Sequence, residues 1–310
     1  MHQPQEWAVV LAGGDGTRLR PLTRLIAEEG RPKQFCKLCG ETSLLAQTRS
    51  RLAFAFAPDR TVFTVVQAHE RFYSDELKSI PTSRLVAQPS NKGTTAAIIS
   101  SLLRVIRLAG DPVIGFFPTD HHYARELRFV ATVRLALKAV RFRPENIILL
   151  GAAADYPEVE YGWIEPGERL DCALTKSLHR VGRFWEKPPL HFARKLHESE
   201  CLWNTFVMIG RASAFLKILK ASVPGLLLDL LTDGEAAYAG ITPGDFSQQV
   251  LSVSSRQLDV LRMKNTGWSD LGTPERVRSA VAHAEFDLQR RGAASCANLQ
   301  EVATPTHSGK

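Results

Sequence analysis

Methionine is scarce, three in 310 residues, and the five cysteines are an odd number with no repeated spacing. Single thiols scattered through a long chain exclude the disulfide framework that holds small secreted domains together. Cys36 and Cys39 form a C-x-x-C, but Cys172, Cys201 and Cys296 stand alone, so zinc lacks a second pair and the thiols read as small apolar fillers. No apolar run approaches the ~20 residues that cross a bilayer, and Met1 to Glu6 lacks the basic-then-apolar form of a secretion signal. These absences lead to the expectation of a cytoplasmic protein with no membrane partner. The formal charge of +7 fits anionic ligands, yet the basic residues are scattered rather than striped, which argues against nucleic acid.

Two common phosphate signatures are also missing from "VVLAGGDGTRLRPLT", positions 9–23. A Walker loop needs four residues between its glycines and then Gly-Lys-Ser/Thr, and a dinucleotide fingerprint needs a glycine where Leu19 stands. What is present is a β-branched apolar run, Ala8 to Ala12, too short for a helix and read as a buried strand. Gly13, Gly14 and Gly16 follow it. Without side chains they let an extended ligand lie on peptide N–H groups, while Thr17, Arg18 and Arg20 add a hydroxyl and fixed positive charge. Such a loop suits a polyphosphate.

Beyond the loop, helical spacing predicts helices over Ser43–Ala57 (with Ser43 as cap), His69–Lys78, Thr94–Leu108 and Glu126–Arg141. Apolar runs predict strands at Thr61–Val66, Arg84–Gln88, Pro112–Pro118 and Asn146–Ala152. This alternation implies an α/β fold with a mostly parallel sheet and helices on both faces. From about Asp155 the segments become shorter and more polar, as in a hairpin-rich insertion over Tyr161–Pro188, before helices resume at His191–Glu198, Ala212–Ala221 and Pro224–Leu231. We therefore expect one domain over 1–290, with a first part at about 7–154, a second at about 155–273 and a closing helix at about 274–290. Residues 291–310 lack periodicity and read as a flexible tail.

In open α/β sheets, ligands sit beyond the carboxyl ends of the strands. Asp120 closes "PVIGFFPTD" there, placed either to hold Mg²⁺ against a phosphate or to cap a helix. Asp270 in "GWSDLGTPE" is an ordinary turn aspartate alone, but with Asp120 it would complete an oxygen-rich Mg²⁺ site. His121 and His122 point to opposite sides of an extended segment and read as structural. Lys33 follows Pro32, and Lys187 is followed by Pro188 with Glu186 beside it; an acid next to a base suits a sugar phosphate, although isolated Glu-Lys pairs are more often surface decoration.

The motifs "LAGGDGTRLRPLT", "RPKQF", "QPSNKGTTAA", "FPTDH", "YGWIEPG", "FWEKP", "LWNTF" and "WSDLGT" occur in this order from about Trp7 to about Val277. Together they resemble the nucleotidyltransferases that make nucleotide sugars, most closely the mannose-1-phosphate guanylyltransferases. The resemblance implies a Rossmann-like nucleotidyltransferase fold, a mostly parallel mixed sheet with helices on both faces and a small hairpin-rich sugar-binding part, in which about 7–154 bind the nucleotide and about 155–273 the sugar phosphate. It also implies Mg²⁺-dependent formation of GDP-mannose and pyrophosphate from GTP and mannose 1-phosphate. Carried over by position, Leu11, Ala12, Gly13, Gly14, Gly16 and Thr17 hold the nucleotide with Gln88, Gly93 and Thr94. Arg18 and Lys33 meet the β- and γ-phosphates, Asp120 and Asp270 hold the metal, and Gly162, Glu186, Lys187 and Asn204 face the sugar phosphate. Self-association is left open.

Two departures bear on the substrates. Mannose-specific relatives carry a glutamate where this chain has Gln88, and an amide can read uracil or thymine as well as guanine, so UTP or dTTP remains an alternative to GTP. "WNTF" has Phe206 where the family usually has glycine, a change that reshapes the sugar pocket. A regulatory relative without catalysis and a dinucleotide oxidoreductase are the other readings. Retention of Arg18, Lys33, Asp120, Lys187 and Asp270 speaks against the first, and Leu19 against the second.

Overall fold

The apolar run after Gln5 forms strand β1 (Glu6–Leu11), and its side chains divide between two cores. Ala8 and Val10 face one, Trp7 and Val9 the other, as an alternating strand covered on both faces requires. The computed structural model describes residues 4–27 and 30–282.

Parallel pairing builds one half of the sheet. β1 lies between β2 (Thr61–Val66) and β4 (Val113–Pro118), with β3 (Leu85–Gln88) outside β2. β6 (Ile147–Ala153) pairs in parallel with β10 (Leu258–Met263). The two groups are joined by β9 (Leu202–Arg211), antiparallel to both β4 and β6. A hairpin, β7 (Gly162–Arg169) and β8 (Leu178–Glu186), closes the far edge, giving the order β3-β2-β1-β4-β9-β6-β10-β8-β7. The short β5 (His122–Tyr123) and β11 (Trp268–Ser269) form a separate ladder.

The predicted α/β class with helices on both faces is observed. Among the helices are α1 (Arg20–Ile26), α2 (Leu44–Leu52), α3 (Glu70–Leu77) and α4 (Gly93–Ala109). They continue with α5 (Glu126–Ala139), α6 (Leu190–Glu198), α7 (Ala212–Ser222), α8 (Pro224–Thr232) and α9 (Phe246–Gln249). α2, α3, α5 and α6 cover the Val10 face, while α4, α7 and α8 cover the Val9 face. Ser43 caps α2 as expected, its hydroxyl accepting from the Ala46 N–H at 3.0 Å.

The sheet is mixed, as expected, because β9 enters its middle antiparallel to both neighbours. The β7–β8 hairpin extends the same nine-stranded sheet through β9 and β10. Residues 274–282 are helical; the rest of the predicted closing helix to 290 and the tail 291–310 lie outside the described residues. Among the described residues, no helix is long and apolar enough to cross a membrane.

Candidate active site

A cleft of about 570 Å³ opens at the carboxyl ends of β1 and β4, between the glycine loop and the β7–β8 hairpin. Leu11, Gly13, Gly14 and Arg18 line one side, and Gln88, Gly93 and Thr94 the floor near α4. Asp120 stands in the middle. Gly162, Glu186, Lys187 and Asn204 form the opposite wall.

The glycine loop is held open from behind. The buried Gln34 amide donates to the Ala12 carbonyl at 3.0 Å and the Gly14 carbonyl at 2.7 Å, fixing the backbone while leaving its outer edge free. An added Cβ on Gly14 would meet nothing within 4 Å, so the space above it belongs to the cleft. Gly16 has φ +60° against the Lys33 backbone, a left-handed turn suited to glycine. Ala12, Gly16 and Thr17 themselves do not line the cleft: Ala12 packs into the core, Gly16 turns the chain, and Thr17 begins a 3₁₀ turn at the surface.

A second loop meets the first across the floor. The Asn91 side chain donates to Asp15 at 2.9 Å and accepts the Gly93 N–H at 3.0 Å. Gly93, at φ +82°, packs so tightly on Gly244 that an added Cβ would overlap the Gly244 carbonyl. The Thr94 hydroxyl accepts the Phe246 N–H at 2.8 Å, seating the segment from Pro243 to Ser247 over the N-terminus of α4. Gln88 is buried, and its amide donates to the Tyr238 hydroxyl at 2.8 Å. Its carbonyl oxygen faces Gly13.

Asp120 and Asp270 are linked through Lys33. The buried Lys33 ammonium lies 3.0 Å from Asp120 Oδ2 and donates to the Asp270 main-chain carbonyl at 2.9 Å. Burial works to raise the Asp120 carboxyl, but the Lys33 charge and the adjacent His121 outweigh it and hold the pKa below the usual range. His121 is shifted downward by burial against the pull of Asp120, and its Nδ1 accepts the Trp268 indole N–H at 3.2 Å.

Lys33 does not line the cleft, and its ammonium pairs with Asp120. The Asp270 carboxylate also lies outside the lining, its Oδ1 accepting from the Tyr161 hydroxyl at 2.7 Å, the Gly272 N–H at 2.9 Å and Arg276 at 2.9 Å. Burial raises the Asp270 pKa, yet Arg276, Tyr161 and Lys33 together bring it below the ordinary carboxylate value. Arg276 pairs with Glu158 as well. For Mg²⁺ the fit rests on Asp120, whose side chain is 34% exposed and presents hard oxygen to the cleft. An ion that takes one or two carboxylates and completes its shell with substrate phosphates and water suits such a donor. Among the described residues no cluster of three or more metal-ligating side chains forms.

On the opposite wall, Lys187 lies 3.3 Å from Glu186 and adopts φ +46°, its N–H bound to the Tyr161 carbonyl at 3.2 Å. Burial and Asp245 raise the Glu186 pKa despite Lys187. A Cβ on Gly162 would lie 2.8 Å from Glu186 Oε2 and 3.3 Å from Asn204 Cβ, so this glycine brings the two polar side chains together. Arg18 reaches across to Glu160 at 3.2 Å; both are half-exposed, a weak pair open to exchange for an anion. Sequence reading missed Gln34, Tyr238, Glu158, Glu160, Tyr161, Arg276 and the segment from Pro243 to Ser247. Gln34 stood within the quoted "RPKQF" and Tyr161 within "YGWIEPG", but the others carry no local signal.

A nucleotidyl transferase family model matches residues 7–285. The chain is 29% identical to the mannose-1-phosphate guanylyltransferase ManC of Salmonella typhimurium, over 91% of this chain and 61% of that protein. It is 30% identical to the xanthan biosynthesis protein XanB of Xanthomonas campestris pv. campestris, over 86% of this chain and 57% of that one. It thus spans about three fifths of the length of these curated relatives. Among solved structures, the mannose-1-phosphate geranyltransferase from Thermus thermophilus aligns with a TM-score of 0.74 at 25% identity, covering 86% of this chain and 76% of that chain.

Proposed function

The chain belongs to the nucleotidyl transferase family, and from that premise we propose that it joins a nucleoside triphosphate to a hexose 1-phosphate, releasing pyrophosphate. The substrates we assign are GTP and mannose 1-phosphate, with Mg²⁺ as the metal. The observation that carries this reading is the placement of the Lys33-braced Asp120 between an open glycine loop and the wall of Glu186, Lys187 and Asn204. One cleft then accepts two anions from opposite sides.

The backbone of Gly13 and Gly14 with Arg18 binds the triphosphate, and Gln88 faces the base. Tyr238 takes one amide N–H of Gln88, which leaves the carbonyl as an acceptor for a ring N–H such as that of guanine. Asn204 and Glu186 hold sugar hydroxyls, and Lys187 meets the sugar phosphate. A phosphate monoester is largely ionised near neutral pH, so its oxygen attacks the α-phosphorus in line without a protein base. Arg18 and Lys187 reduce the repulsion between the two anions, and the fixed walls supply orientation. Lys33 and Asp270 act as positioning residues for Asp120. Held by Asp120 and the substrate phosphates, Mg²⁺ would supply neutralisation of the departing charge.

The test is to incubate the purified protein and Mg²⁺ with each of four NTPs and several hexose 1-phosphates and resolve the nucleotide sugars by chromatography. GDP-mannose is the expected main product. A dominant UDP- or dTDP-sugar rejects the base assignment, and no nucleotide sugar from any pair rejects the reading.

A further inference from the structure

Phe206 has φ +56°, a left-handed conformation that a bulky residue rarely adopts. The conformation belongs to a bulge. Along β9 and β6, Met208 pairs with Leu149 but Asn204 pairs with Gly151, so Leu150 alone faces Thr205, Phe206 and Val207. Side chains pin the irregularity from both ends. The Thr205 hydroxyl donates to the Leu150 carbonyl at 2.6 Å, and Asn204 Oδ1 accepts the Phe206 N–H at 3.0 Å. Bulges beside active sites re-aim a side chain, and glycine takes the left-handed position without strain. This chain instead spends strain there to place an aromatic ring.

The ring lines the cleft on the same wall as Asn204. It packs edge-on to Phe246 at a centroid distance of 6.3 Å, which joins β9 to the segment seated over α4. Asn204 in turn adjoins Gly162 and Glu186. An apolar ring in this position fills space that glycine would leave open. Resting on the sugar-nucleotide reading above, we propose that Phe206 is the specificity-determining residue of the sugar subsite. It limits the site to hexose 1-phosphates without a bulky substituent and excludes acetamido sugars. Strain persists at functional sites when the surroundings over-determine it, and the two pinning hydrogen bonds do so here.

The test compares Phe206→Gly, which fits the backbone without strain, with Phe206→Tyr, which keeps the ring. Affinities for N-acetylglucosamine 1-phosphate and mannose 1-phosphate are measured by titration calorimetry, alongside kcat/KM for both. The N-acetylglucosamine-to-mannose ratio is expected to rise ~10-fold or more in Phe206→Gly, the scale on which pocket volume discriminates substrates. In Phe206→Tyr it should stay near the parent value. An unchanged ratio in Phe206→Gly overturns the proposal. If the binding ratio shifts while no nucleotide sugar forms in any protein, the reaction assignment fails and the role of Phe206 stands. If neither the parent nor Phe206→Gly binds either sugar phosphate, both fail.

Discussion

The Lys33 ammonium sits 3.0 Å from the Asp120 carboxylate and, on its other side, hydrogen-bonds the Asp270 main chain. One buried side chain from "RPKQF" thereby ties the end of β4 to a turn far downstream. Asp120 is held in the cleft lining, and its pKa is kept below the usual carboxylate range.

Replacing Lys33 by Met should leave Asp120 without its partner. Breaking a buried pair costs about 3–5 kcal/mol, and because Asp120 keeps 34% of its side chain exposed we expect on the order of 2 kcal/mol here. Urea unfolding would measure this, and kcat should fall by roughly 100-fold as the carboxylate moves. A variant with parent stability and turnover would show that Asp120 needs no such brace.

Gly93 is the tightest backbone approach in the cleft. At φ +82° and packed on Gly244, Gly93→Ala meets strain and a backbone overlap together, so a loss of about 3 kcal/mol is expected. The loop from Pro243 to Ser247 should lift from α4 and nucleotide affinity should drop, as read by thermal denaturation with and without NTP. Unaltered affinity would separate this loop from the nucleotide.

Glu186 supplies a pH test. Burial and Asp245 raise its pKa above the ordinary value, against the opposing pull of Lys187. An acid whose folded pKa lies above its unfolded one weakens the fold at pH above both and contributes nothing below both. Glu186→Gln should therefore raise Tm at about pH 8, with the gain vanishing as pH falls below about 4.3, the unfolded value. Hexose phosphate affinity should fall in the same variant. A Tm gain equal at both pH values would contradict this account.

Gln88→Glu tests the base. With Tyr238 still present to donate, a carboxylate offers two acceptor oxygens in place of the amide. GTP should then gain over UTP by ~10-fold in kcat/KM, the size of one good charged hydrogen bond. An unchanged GTP-to-UTP ratio would place Gln88 away from the base.

Much of the fold was legible because buried parallel strands are continuous apolar runs and their helices repeat at helical spacing; Thr61–Val66 forms the strand read from sequence. β9 was not legible as a central strand. Its "LWNTFVMIGR" interrupts the apolar pattern with Asn204 and Thr205, whose polar groups are satisfied only by tertiary hydrogen bonds. The glycine loop, Asp120 and the Glu186–Lys187 wall could be read because their chemistry is local. The bond from Tyr161 to Asp270 and the pairing of Arg276 with Glu158 could not, since each joins segments more than a hundred residues apart. The pairing of Lys33 with Asp120 could not be read either, because a lysine motif does not say which carboxylate lies beside its ammonium.

The most direct measurement is steady-state pyrophosphate release from GTP, mannose 1-phosphate and Mg²⁺ by the parent protein and by Asp120→Asn. We expect pyrophosphate only when both substrates are present, and a loss of at least ~100-fold in the variant, the scale on which a fixed charge acts in such sites. Undiminished release by Asp120→Asn, or none from the parent, would contradict the assignment of this cleft to nucleotidyl transfer.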